Sequence, residues 1–155
     1  MIEQKSSLLV DQVSPNEVLA RIVLSPKDID SVTKRPKDSF ITLRNDENGV
    51  SFLRYDYMGA VAFHQSCVDR VALYNKNLKK PKYALAGWME GIAGDILAIA
   101  PGKIDIVVSS PKERPEHVNV CFKKDGVAVK GIVTDAEVLD LMDELFHSLR
   151  YVHSE

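Results

Sequence analysis

At 155 residues the chain has the length of about one domain of the usual 100–200 residues, and a single core would remove roughly two thirds of its unfolded surface from water. Apolar residues make up 45% and charged residues 27%, ordinary globular usage that excludes a disordered tail, a coiled-coil rod and a collagen-like repeat. Twenty Lys and Arg against 22 Asp and Glu give a net charge of −2, without the basic excess of a dedicated nucleic-acid binder.

Residues 1–16 are polar and close on Ser14-Pro15. They are expected to form a flexible N-terminal arm ahead of a single domain over 17–155. The early apolar run Leu8-Leu9-Val10 is too short for the core of a signal peptide. No stretch is long and apolar enough to span a bilayer, and the richest, Ala84 to Ala100, contains Glu90, Asp95 and three glycines. Cys67 and Cys121 lie far apart with no metal-ligand spacing around them. Both are read as reduced, buried thiols. The expectation is a cytoplasmic protein with no membrane partner.

Glu17 to Leu24 (EVLARIVL) is rich in β-branched residues and predicts a strand. Ser25-Pro26-Lys27-Asp28 then suits a helix start, with Ser25 as N-cap and Pro26 at the first helical position, giving a short helix to about Val32. Thr33 to Ser39 follows as an exposed basic connection. Phe40 to Arg44 and Val50 to Tyr57 alternate around Asn45–Gly49, a glycine-terminated polar cluster, and predict a hairpin inside a sheet. His64 to Asn75 places Cys67, Val68, Val71 and Ala72 at helical spacing. Tyr83 to Ala100 is left open between strand and helix. Gly87, Gly91 and Gly94 each cost about 1 kcal/mol in a helix, and an irregular helix followed by a strand over 96–99 is one way to thread it.

Ile104 to Ser109 predicts a buried strand, and Ser110 to Glu116 a charged loop. His117 to Lys123 and Val127 to Val133 alternate around Asp125-Gly126, with Val118, Val120 and Phe122 toward the core. Thr134 to Glu137 reads as a capping box opening an amphipathic helix to about Tyr151, its apolar stripe formed by Val138, Leu141, Met142, Leu145, Phe146 and Leu149. The whole is an α+β domain. Its sheet is mostly antiparallel and hairpin-built, with two or three packed helices including the C-terminal one.

Two arginines stand out, because Arg44 and Arg54 end or interrupt apolar strands, and a buried guanidinium must find an acceptor. A nearby carboxylate, Asp46, Glu47 or Asp56, is the ordinary partner. The alternative is an anionic ligand held by arginines on adjacent strands, with Tyr55 and Tyr57 flanking a ring and Arg114 close by. His117 opens a strand after a charged loop, and His64 opens a helix; either could serve as acid–base, or simply bond to backbone. Glu90 is an ionisable group in an otherwise apolar stretch and a candidate helper. The glycines around Trp88 match no phosphate loop, and close packing of a neighbour explains them as well. His147 and His153 are attributed to the C-terminal end of the last helix. Lys34-Arg35-Lys37, Lys76-Lys79-Lys80-Lys82 and Lys123-Lys124 with Lys130 are read as solvated faces, so nucleic acid is disfavoured. No metal site is expected, and the sequence points to no particular cofactor.

Two functions fit these residues. The first is a small cytoplasmic domain that binds a protein partner or a small anionic ligand and does no chemistry. The second is an enzyme on a nucleotide or other phosphorylated substrate, with Arg44 and Arg54 binding the anion and His117 or His64 as acid–base.

Overall fold

β1 (Val18–Ser25) carries Leu19 and Val23 on one face and Ala20 and Leu24 on the other, and all four are buried. A strand buried on both faces belongs in the middle of a sheet, and that is where β1 lies. The structure, a computed structural model, describes residues 12–43, 49–131 and 133–154. After β1 come β2 (Val50–Arg54), the one-turn helix α1 (Tyr55–Met58) and the long helix α2 (Ala60–Asn75). They are followed by β3 (Ala84–Ile92), α3 (Ala93–Ala98), β4 (Ile104–Ser110) and β5 (Arg114–Lys124). The short β6 (Val127–Ala128), the helix α4 (Ala136–Ser148) and β7 (Arg150–His153) complete the fold. The strands run in the order β4-β5-β2-β1-β3-β7, every pairing antiparallel, with β6 on β5. The domain is therefore α+β.

Most of the hydrophobic core lies on one face of the sheet. Leu19, Val23, Val50, Phe52, Val118 and Phe122 meet Val138, Leu141 and Leu145 of α4 there. On the other face α2 lays Phe63 and Cys67 on Ala20 and Leu53. The register that brings this about pairs Phe52 with Val118 and Leu53 with His117. The expected core face of β5 is thus correct, and Asp125 and Gly126 turn the chain with positive φ, 53° and 78°.

Several segments depart from expectation. No helix follows Ser25-Pro26: Asp30 Oδ1 accepts the N–H groups of Val32 and Thr33, Asp28 Oδ2 accepts that of Leu24, and Lys37 N donates to Asp28 O. Short acidic side chains have captured the backbone into turns. Phe40 does not open a strand either; it ends a 3-10 turn (Asp38–Phe40), and Phe40, Ile41 and Leu43 are all buried, so nothing alternates. Arg44 to Asn48 lie outside the described residues. The second predicted arm stops at Arg54, where the chain turns into α1. Over 83–100 the order is strand then helix. Gly87, at φ +148°, passes so close to β7 that a Cβ would stand 1.9 Å from the Val152 carbonyl oxygen. The partner of β3 arrives from the far end of the chain, which is why local sequence left this stretch open. At the last helix the N-cap is Asp135, accepting from Glu137 N and Val138 N, rather than Thr134, and the helix stops at Ser148. His153 therefore sits on β7 and not at a helix end, whereas His147 does lie in the last turn and bonds to Asp143 O.

Candidate functional site

β1 is paired along its whole length with β3, from Val18↔Ile92 to Ser25↔Ala84, but with β2 only at Leu19↔Arg54 and Ala20↔Leu53. Beyond Ala20 the two strands part. Where a ladder would continue, the Arg21 side chain reaches across and donates from Nη1 to Ser51 O at 2.8 Å, its guanidinium 5.0 Å from the Phe40 ring centroid. The gap opens into a cavity of about 430 Å³. Its walls come from β1, from the turns that follow it (Lys27, Asp28, Lys37, Ser39), from β2 (Ser51), from α2 (Arg70, Tyr74) and from the start of β5 (Arg114, His117).

The charges on these walls are lopsided. Arg21, Lys27, Lys37, Arg70 and Arg114 face one described carboxylate, Asp28. That carboxylate is itself engaged by Leu24 N and by Lys27 Nζ at 3.0 Å. Within the wall, His117 Nε2 and Ser51 Oγ are in hydrogen-bond contact. The register explains the contact. Ser51 faces Asn119 and Leu53 faces His117, which makes Ser51 and His117 diagonal neighbours on one face of the sheet. Burial pushes the His117 pKa below its ordinary 6.5, the charge of Arg114 lowers it further, Arg70 and Arg21 add to this, and Glu116 opposes it. The imidazole is therefore neutral at pH 7.

Of the residues singled out from sequence, His117 and Arg114 line this cavity. Arg54 does not take part. It is 1% exposed, and its Nε and Nη2 donate to Glu17 Oε1 and Oε2 at 2.6 and 3.2 Å, while Nη1 donates to Pro115 O. The expected carboxylate partner exists, but it is Glu17; Asp56 instead accepts Val18 N at 2.7 Å. Tyr57 lies under the Arg54 guanidinium, 4.3 Å away. Tyr55 packs with Phe63 and Trp88 in the smaller core, with His64 at its edge bonded to Ala60 O. Glu90 receives Trp88 Nε1 at 2.9 Å and Arg150 Nη2 at 3.0 Å, a structural tie rather than a helper's position. Arg44, with Asp46 and Glu47, lies outside the described residues.

Arg21, Ser51 and Arg70 were not foreseen. Arg21 carries the same signal that drew attention to Arg54, a guanidinium interrupting an apolar strand. Ser51 and Arg70 carry no local signal. Among the described residues no three His, Cys, Asp or Glu side chains converge as metal ligands, and no helix is long and apolar enough to cross a membrane. Comparison with protein-family models, curated proteins and solved structures finds no match, so the reading of the site rests on its own geometry.

Proposed function

We propose that the protein is a cytoplasmic small-ligand-binding domain whose cleft between β1 and β2 takes a phosphorylated anion. One observation carries this reading: among the described residues, five cationic side chains and one engaged carboxylate line a single cavity. Its volume, about 430 Å³, falls in the range of about 300–1,000 Å³ typical of small-molecule sites, which favours a small ligand over a protein partner. Arginines suit phosphate because the planar guanidinium fork matches its oxygens. Tyr74 and Phe40 in the same walls offer apolar surface to the rest of such a ligand. The cytoplasmic placement is supported by Cys67 and Cys121, both unbridged and buried.

Thermal unfolding against inorganic phosphate, sugar phosphates and nucleoside monophosphates tests the proposal. A ligand at 100 times its Kd adds about 2.7 kcal/mol, which for a chain of this size raises the midpoint by several degrees. The rise is expected for phosphorylated compounds, absent for their unphosphorylated parents, and lost in Arg114→Ala with Arg70→Ala. A flat panel would sink the anion cleft and return attention to a protein partner.

A further inference from the structure

Resting on that reading, we propose that Ser51 and His117 form a nucleophile–base pair that hydrolyses a phosphate monoester held in the cleft. Neither residue sits in a closed core. Both line the same cavity and they touch through Oγ and Nε2, the atoms a proton would leave and reach. Arg21 fixes the serine from behind by binding the carbonyl of the same residue. Arg70 from α2 and Arg114 from β5 line the same cavity as Ser51, and so can reach a phosphoryl group held there. A base must be neutral to accept a proton, and burial first, with the neighbouring cations second, favours the neutral form of His117. Among the described residues, the charged groups acting on it include Arg114 and Glu116 on its own strand, Arg70 on α2 and Arg21 on β1.

The cations also select the reacting centre. A phosphoryl group carries its charge on peripheral oxygens, which guanidinium groups neutralise, and such clamps are the usual stabilisers of phosphoryl transfer. In the step itself, Oγ forms a bond to phosphorus while His117 Nε2 takes its proton. The P–O bond to the alcohol breaks, and that proton passes to the departing oxygen. Water then gives a proton to the same Nε2 and attacks the phosphoserine. The P–Oγ bond breaks and the proton returns to Oγ. Ester and water become alcohol and inorganic phosphate, with no other reactant.

The test uses the full chain with p-nitrophenyl phosphate, following p-nitrophenolate release and, after acid quench, phosphate on the peptide containing Ser51. Expected are turnover, a trapped phosphoserine, a rate that falls as acidification protonates His117, no turnover in Ser51→Ala, and at least a hundredfold loss in His117→Gln, the low end of general-base contributions of about 10²–10⁴. Inorganic phosphate should still bind to Ser51→Ala within about twofold, measured by calorimetry, because the clamp cations remain. Wild-type protein that binds phosphate yet shows neither turnover nor phosphoserine overturns the pair and leaves the binding cleft standing. Turnover that persists in Ser51→Ala also overturns it. Failure of the wild type to bind any phosphate removes the cleft reading itself. The phosphoserine trap needs no variant, so a substitution that fails to fold does not shield the proposal.

Discussion

The two ends of the β1–β2 junction handle arginine in opposite ways. At the closed end Arg54 is buried, and Glu17 meets it with both carboxylate oxygens. The strands stay paired there, at Leu19↔Arg54 and Ala20↔Leu53. At the open end the Arg21 side chain bonds to Ser51 O in place of the ladder, and cations from three further parts of the chain join it around one described carboxylate in the cavity wall. A buried arginine matched by its carboxylate closes the sheet at one end, and at the other a cluster of cations lines the cleft around one described carboxylate. The contrast teaches that burial of an arginine says less about function than the local count of acids does.

The contrast can be broken most strongly at the closed end. Glu17→Ala removes the carboxylate from a guanidinium that is 1% exposed, and breaking a buried pair of this kind costs about 3–5 kcal/mol. Urea unfolding should show that loss, while phosphate binding measured below the new transition stays close to wild type. A loss under about 1 kcal/mol would mean that the pair is not what zips the junction. At the open end the sign of the result reverses. Arg70→Ala should weaken phosphate binding at least tenfold, as expected for the loss of a charge-assisted hydrogen bond of about 1.5–3 kcal/mol, yet leave stability within about 0.5 kcal/mol. Equal affinity in the variant would place the anion elsewhere.

The smallest effect is in pH. The folded state holds His117 below its ordinary 6.5, so between that value and the depressed one the unfolded chain binds more protons. Stability of the unliganded protein should then fall as pH drops through this window, and His117→Gln should flatten that part of the profile. An anion beside the ring would push its pKa back up. Binding of sulfate, an anion that does not itself titrate in this range, should therefore take up protons, detected by calorimetry in buffers of different ionisation enthalpy, and its affinity should rise as pH falls. Proton release on binding would contradict the placement of His117 next to the anion.

Where structure is set locally, the sequence displayed it. Asp125-Gly126 made its turn from two residues, and α4 took its place from a stripe of apolar side chains at helical spacing and an acidic cap. Gly87 and Gly91 could not be read this way, because what they accommodate, Val152 and Leu149, is supplied by residues 58 or more positions later. Phe40, Ile41 and Leu43 looked like one arm of a hairpin because their burial against α4 and the sheet depends on an end of the core that local alternation does not encode. The cleft was half visible. His117 and Arg114 stood three residues apart in the chain, but Arg21, Ser51 and Arg70 reach them only through the fold, and Arg54 was assigned to acids near in sequence when its partner, Glu17, lay just ahead of the neighbouring strand.

β1 bonds to β3 along all of its length and to β2 along a quarter of it. Its two edges thus answer to different demands. The edge toward β3 carries the information that folds the chain, and the edge toward the cleft is released from pairing after Ala20. Side chains on the turns beyond it that line the cleft, Lys27, Lys37 and Ser39, can be exchanged without disturbing a ladder. A lineage built on this sheet could alter what the cleft accepts one residue at a time, keeping foldability and specificity on opposite sides of the same strand.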